Sequence, residues 1–308
     1  SGGSWSYSNT GYYLLGIIAQ RVAKKGYGLL LQEKIFAPLE MNNTAFDTTW
    51  LRENVAPGFL QSIDGMRPMP EYSLTTLFSS GGMYSTAEDL FKWDQALYSN
   101  QLLSDSSKAI LFGPVKNDYA CGWYVKKGID SDNQPYERHF HGGMIKGYHC
   151  FALRRIPPRQ TVILLDNHYS QEVQTIKNRI WSALIEEKVR DIKPKLSTLL
   201  YDACANNTLT NVMDSILSHQ RLFENQYTFE EFDINTVAYR LMEANRYSEA
   251  SILFTFNLNR YPESWNVYDS MGELQLVKGN YNDAKKYYEK SLILNPKNDS
   301  AKRALEKI

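Results

Sequence analysis

Two short stretches far apart in the chain carry side chains that can move protons and hold a polar substrate: Tyr7-Ser8-Asn9 near the start and His141-Gly142-Gly143 well over a hundred residues later. A phenol passes a proton, a carboxamide both donates and accepts hydrogen bonds, and an imidazole can do either near neutral pH. Two adjacent glycines leave a strand edge bare, so that another backbone can come close. The phenol sets a condition. With a reference pKa near 10, only about one tyrosine in a thousand is ionised at pH 7, so a base role for Tyr7 requires positive charge nearby.

These residues need elements to hold them. After Asn9, apolar residues at Leu14, Leu15, Ile18, Ala19 and Val22 have the spacing of one buried helix face over Thr10 to Lys25, with Gly26 as its stop. Gly28 to Phe36 reads as a second short helix ended by Pro38, and Asn42 to Pro70 reads mainly as loop. Ser85-Thr86-Ala87-Glu88 is a capping-box pattern ahead of an amphipathic run through Leu90, Phe91, Trp93 and Leu97. From Asp118 the pattern turns to strands: Tyr119 to Val125, Glu137 to His141, Gly147 to Arg155 and Thr161 to Asp166. Pro157-Pro158-Arg159 predicts a hairpin between the last two, hence an antiparallel sheet, and a helix over about Gln171 to Glu187 follows.

The string Ser4-Trp5-Ser6-Tyr7-Ser8-Asn9-Thr10-Gly11-Tyr12-Tyr13-Leu14-Leu15-Gly16 resembles class C β-lactamases and their esterase and D-aminopeptidase relatives, in the serine β-lactamase and penicillin-binding-protein superfamily. His141-Gly142-Gly143 is similar to that family's strand signature, usually Lys-Thr-Gly, and Phe78 to Thr86 is similar to a segment beside its cleft. The resemblance implies that Tyr7 shuttles protons, Asn9 orients the substrate, and His141 supports both. It also implies that Met144 gives an oxyanion-hole N–H beside the open Gly142-Gly143 edge. Histidine in place of lysine points away from a dedicated penicillinase. The nucleophilic Ser-x-x-Lys is absent, since no lysine has a serine three residues before it. The expectation is that it lies upstream of Ser1, that this chain is the larger part of a hydrolase, and that it is silent alone with a sheet edge unpaired.

Plainer readings stand beside these. Tyr7 can be a packing residue with Asn9 as the helix N-cap, and Gly142-Gly143 a bulge or turn. His139 and His141 share a strand face, with His149 and His168 on later strands, but no carboxylate sits at a recognised metal spacing. The reading therefore calls for no metal and no cofactor.

Beyond Pro194 the pattern is helical throughout and repeats. Ala284, Tyr288, Tyr281, Pro296 and Gly272 lie 34 residues after Ala250, Phe254, Tyr247, Pro262 and Ala238. Both copies resemble the tetratricopeptide repeat, small residues standing where paired helices approach and aromatics filling between hairpins. The expected architecture is an α+β hydrolase domain over 1–190, an antiparallel sheet flanked by helices. An all-α tetratricopeptide-type solenoid follows over 195–308, with copies at 231–264 and 265–298 and a capping helix from Asp299.

Composition narrows the partners. The 308 residues carry 34 basic and 34 acidic side chains, which gives no electrostatic case for a nucleic-acid surface. No run has the length of apolar residues that a membrane span needs. Cys121, Cys150 and Cys204 are too scattered for a disulfide framework. The expected partners are a small-molecule or peptide acyl substrate and a protein bound through the repeats, and the family resemblance suggests a bacterial periplasmic, envelope or secreted location. The rival reading is an interaction scaffold whose hydrolase half is catalytically dead.

Overall fold

The computed structural model describes residues 4–46, 55–70, 76–114, 116–145, 147–169, 172–186 and 193–308. The chain divides into two compact units, Ser1–Leu60 with Pro68–Arg190, and Gln61–Arg67 with Asp191–Ile308.

In the first unit, helix α1 spans Asn9–Ala23. Its N-cap is Ser8, whose Oγ accepts from the Gly11 N–H at 3.1 Å, so Asn9 is the first helical residue and not the cap. The helix ends as Lys24 turns left-handed at φ 53°, ahead of Gly26. The expected buried face is not the one used: Val22 is 80% exposed, and Leu14, Leu15 and Ile18 are each more than half exposed. The buried face centres instead on Gly16, where an added Cβ would stand 2.1 Å from Ser79 Oγ. Backbone approach decided the orientation. Ser79 Oγ donates to the Tyr12 carbonyl at 2.8 Å, and Tyr13 lies 5.1 Å from the Phe78 ring.

Phe78 is the hub of this corner. Its ring also meets Tyr27 of helix α2 (Tyr27–Leu31, continuing as a π turn over Gln32–Phe36) and Phe46 of strand β1 (Ala45–Phe46). The stretch expected as loop thus carries short strands: β1, β2 (Phe59–Ser62) and β3 (Gly65–Pro68), while β4 (Met83–Tyr84) pairs with β1. Each is too short to show a period in the sequence.

Helix α3 (Ala87–Ala96) starts one residue later than the capping-box pattern suggested: Thr86 Oγ1 accepts from Asp89 N at 3.3 Å. The Asp89 carboxylate, wholly buried, accepts instead from Asn43 N and Thr44 Oγ1, fixing α3 to the β1 approach. Helix α4 (Asp105–Phe112), capped by Ser104, has no counterpart in the sequence reading.

The main sheet runs β5-β6-β7-β8, all antiparallel: β5 Tyr124–Ile129, β6 Pro135–Ile145, β7 Tyr148–Ile156 and β8 Gln160–Asp166. The hairpin at Pro157 to Arg159 is present, with Arg159 at φ 70°. Among the described residues β5 and β8 are its edges. A short β9 (His168–Tyr169) pairs with β2 in parallel. Strand β5 begins later than expected. Asn117 and Asp118 both take left-handed φ between bridged Lys116 and Tyr119, and Gly122 turns the chain again at φ 82°. Tyr119 therefore sits on a short limb between two tight turns, bridged to Tyr124.

One sheet face packs Phe140, Phe151, Leu153 and Val162 against Val173 and Trp181 of helix α5 (Glu172–Glu186). On the other, Leu97, Ala120, Trp123 and Val125 form a core with Trp93 and Phe112. There Arg154 and Asp94 make a buried ion pair at 2.6 Å, Thr161 Oγ1 donates to the same carboxylate, and the guanidinium lies over Tyr98.

Apart from Gln61–Arg67, which carries β3 to Arg67, the second unit is helical: α6 Leu196–Ala205, α7 Leu209–Ser218, α8 Gln220–Gln226, α9 Glu231–Glu243, α10 Tyr247–Arg260, α11 Trp265–Val277, α12 Tyr281–Leu294 and α13 Asp299–Leu305. The repeat period reappears in its hydrogen bonds. Asn257 Nδ2 donates to the Glu231 carbonyl, and Ser291 Oγ, 34 residues on, donates to the Trp265 carbonyl, itself 34 residues past Glu231. Asn235 bonds forward to Ser270, as Asp269 does to Asn298 at the start of α13. Gly272 packs against Tyr288 where a Cβ would come within 3.0 Å of the ring.

Candidate active site

Tyr7 stands in the loop before α1 and His141 in the middle of β6, and the fold brings their rings to 6.1 Å, nearly parallel at 28°. Asn9, in the first turn of α1, is exposed. Gly142, Gly143 and Met144 follow His141 in unbroken register with Phe151, Cys150 and His149, and all three are exposed. The glycine pair is therefore regular strand and neither a bulge nor a turn. A Cβ on Gly143 would stand 2.8 Å from Cys150 Sγ, so a side chain there must displace the thiol.

The other histidines separate. His139 is 2% exposed, its Nε2 lies 2.5 Å from Glu137 Oε1, and its ring stacks on Phe112 at 4.2 Å. His149 pairs with Met144, an odd number of residues from His141, and so takes the opposite sheet face. Among the described residues no group of three or more His, Cys, Asp or Glu side chains is placed to hold a metal.

Four aromatic residues outside the two motifs complete the site. Tyr119 meets Tyr7 edge-on at 5.9 Å, and its hydroxyl comes within 3.5 Å of His141 Nε2. Tyr124 stacks beside His141 at 6.0 Å, and Trp5 lies 5.7 Å from Tyr119. Trp5, Tyr7, Tyr12, Leu15 and Tyr119 line a cavity of about 270 Å³. Tyr119 was passed over because the sequence read as a strand there. The signal that could have found it is the Asn117-Asp118 pair, a residue combination suited to a left-handed two-residue turn.

Burial raises the Tyr7 pKa, with Tyr12 and Tyr124 adding to the effect, and no cation contributes among the described residues. At neutral pH Tyr7 is a hydrogen-bond donor. Burial lowers the His141 pKa, against an opposing interaction with the Gly142 backbone, so the imidazole is neutral. Burial, helped by Tyr12, holds Tyr119 well above the usual phenol range. These residues can hold and orient a carbonyl substrate, while proton abstraction by Tyr7 needs a cation from elsewhere.

The chain matches the Beta-lactamase family over residues 1–163 and the Tetratricopeptide repeat over 265–298. It belongs to the beta-lactamase family, a family of serine hydrolases, and carries a tetratricopeptide repeat in its helical unit. Among curated relatives it is 30% identical over 184 residues to Penicillin-binding protein 4* of Bacillus subtilis (strain 168), covering 53% of this chain and 40% of that protein. To the putative penicillin-binding protein PbpX of the same organism it is 27% identical over 189 residues, covering 60% and 46%. The chain thus spans less than half the length of either relative. In fold it is similar to D-amino acid amidase from Ochrobactrum anthropi SV3, with a TM-score of 0.53, 22% identity and 60% of each chain covered. A penicillin binding protein from Bacillus halodurans gives 0.51 at 22% identity, covering 60% of this chain and 57% of that one.

Proposed function

We propose that the sheet unit supplies the proton-transfer and substrate-holding half of a serine hydrolase site that forms an acyl-enzyme on an ester, amide or lactam bond. Tyr7 passes the proton between nucleophile and leaving group, Asn9 orients the substrate amide, and His141 supports Tyr7 and the substrate. Gly142 and Gly143 leave room for the substrate backbone, and the Met144 N–H is one oxyanion donor. The observation that carries this reading is the 6.1 Å stacking of Tyr7 on His141 beside an exposed Gly142-Gly143 edge.

The nucleophile is not supplied by a Ser-x-x-Lys within these 308 residues. Removing a nucleophilic serine costs about a millionfold in a serine protease, so on this reading the 308 residues do not acylate by themselves. The substrate class keeps company with a bacterial envelope or secreted location, and we place the protein there. Among the described residues no helix is long and apolar enough to cross a membrane.

The test is intact-mass labelling with a fluorophosphonate and a penicillin, on this chain and on the protein with its native flanking residues. One adduct on the flanked protein alone supports the reading, and Tyr7→Phe then slows its acylation at least about a hundredfold. An unchanged acylation rate in Tyr7→Phe removes Tyr7 from the mechanism.

A second reading rests on the match at 265–298: we propose that 231–264 is a second tetratricopeptide unit and that the helical unit binds a protein partner. Absence of labelling in both proteins makes this scaffold role the leading function.

A further inference from the structure

Tyr119 belongs to neither motif, yet its hydroxyl comes within 3.5 Å of His141 Nε2 from outside β6. Its own ring is 9% exposed and held from several sides, by Trp5 at 5.7 Å, Tyr7 at 5.9 Å and Tyr124 at 4.9 Å. The limb between the turns at Asn117-Asp118 and Gly122 fixes where that hydroxyl points.

We propose that Tyr119 is a positioning residue that holds the His141 imidazole neutral, in one tautomer and one orientation facing Tyr7. A neutral imidazole has one bare nitrogen, and a protonated phenol has one hydrogen to give it. Donation from Tyr119 to Nε2 leaves the ring proton on Nδ1. Protonating His141 breaks this order, because the imidazolium donates from both nitrogens and Tyr119 must turn its hydrogen away. The groups facing His141 are the Tyr7, Tyr119 and Tyr124 phenols and the Gly142 backbone, and among the described residues no carboxylate or cation contributes to its titration. Burial also favours the neutral ring. The catalytic meaning of this device rests on the acyl-transfer reading, whereas its existence does not.

The test needs no catalysis. The full chain, labelled with 15N at histidine, is titrated by NMR, and the His141 signal is assigned by its loss in His141→Gln. The expected wild-type result is a midpoint below about 6.5 with the proton on Nδ1. In Tyr119→Phe the midpoint rises by about half a pH unit or more and the tautomers mix, because the donor to the neutral form is gone. Tyr124→Phe, which keeps the stacking ring, leaves both unchanged. An unchanged midpoint and tautomer in Tyr119→Phe overturns the proposal, as does an equal change in Tyr124→Phe. Should Tyr119→Phe unfold, the wild-type tautomer decides: a proton on Nδ1 supports the proposal and one on Nε2 overturns it. A negative result here leaves the labelling test of acyl transfer untouched.

Discussion

In the helical unit Ile234, Leu241, Leu253 and Leu274 are wholly buried in one contiguous core, extended by a smaller cluster around Tyr288, whereas the sheet unit divides its core among separate clusters around Phe36, Trp123 and Phe151. Their polar groups differ in the same way. The helical unit repeats its hydrogen bonds every 34 residues, Asn257 to Glu231 and Ser291 to Trp265. The sheet unit joins residues remote in sequence through single contacts, such as Arg154 with Asp94 or Ser79 with Tyr12. A repeat solves one packing problem several times with near neighbours. A sheet unit without repeats solves many different ones, each once.

The largest effect is expected in the core of the helical unit. Leu241→Ala should cost about 2–5 kcal/mol, and hydrogen exchange across α9 to α11 should rise together because they share one core. Exchange rising in α9 alone would mean that the repeats are not one cooperative body.

Acidification should separate the units next. Burial lowers the pKa of both His139 and His141, for His139 against an opposing Glu137, so the unfolded chain binds more protons just below its reference value of about 6.5. Stability of the sheet unit is then fully present above that value and is lost as pH falls through it towards 5. In the helical unit Asp269 is shifted upward by burial, so its contribution moves the other way, rising as pH falls. Urea melts at pH 7 and 5.5, read by exchange in each unit, should show the sheet unit alone weakening. Parallel weakening of both would contradict these assignments.

The smallest effect is expected on α1. Ile18→Ser lies on the exposed apolar stripe and should change stability of this chain by no more than about 0.5 kcal/mol in a urea melt. Gly16→Ala, on the packed face, should be clearly destabilising by the same measurement, by about 1–3 kcal/mol. Reversal of that order would restore the face that periodicity alone selects.

How much was legible follows from these contrasts. The repeat at 265–298, the hairpin at Pro157 to Arg159 and the helix after Asn9 were all carried by local signals: small residues at a fixed offset, a turn sequence, an apolar spacing. The side of α1 that packs was not, because apolar residues lie on several of its faces and the choice fell to the close approach of Gly16 and Ser79. Ser8 and Thr86 took the caps in place of Asn9 and Ser85, a shift of one residue that only backbone angles decide. Resemblance singled out Tyr7 and His141, whose rings the fold brings to 6.1 Å, but Tyr119 was hidden because two successive turns look, residue by residue, like the start of a strand.

By itself, the order of residues determined the helix after Asn9, the hairpin at Pro157 to Arg159, the 34-residue period of the tail and the presence of a Tyr-x-Asn and a His-Gly-Gly, since propensity, turn chemistry and spacing act between near neighbours. Tertiary structure alone decided that Tyr7, Tyr119, Tyr124 and His141 share one cluster, that His149 does not join them, and that the Tyr119 hydroxyl reaches Nε2. Those outcomes depend on strand register and on contacts across more than a hundred residues, where a shift of one residue sends a side chain to the opposite face.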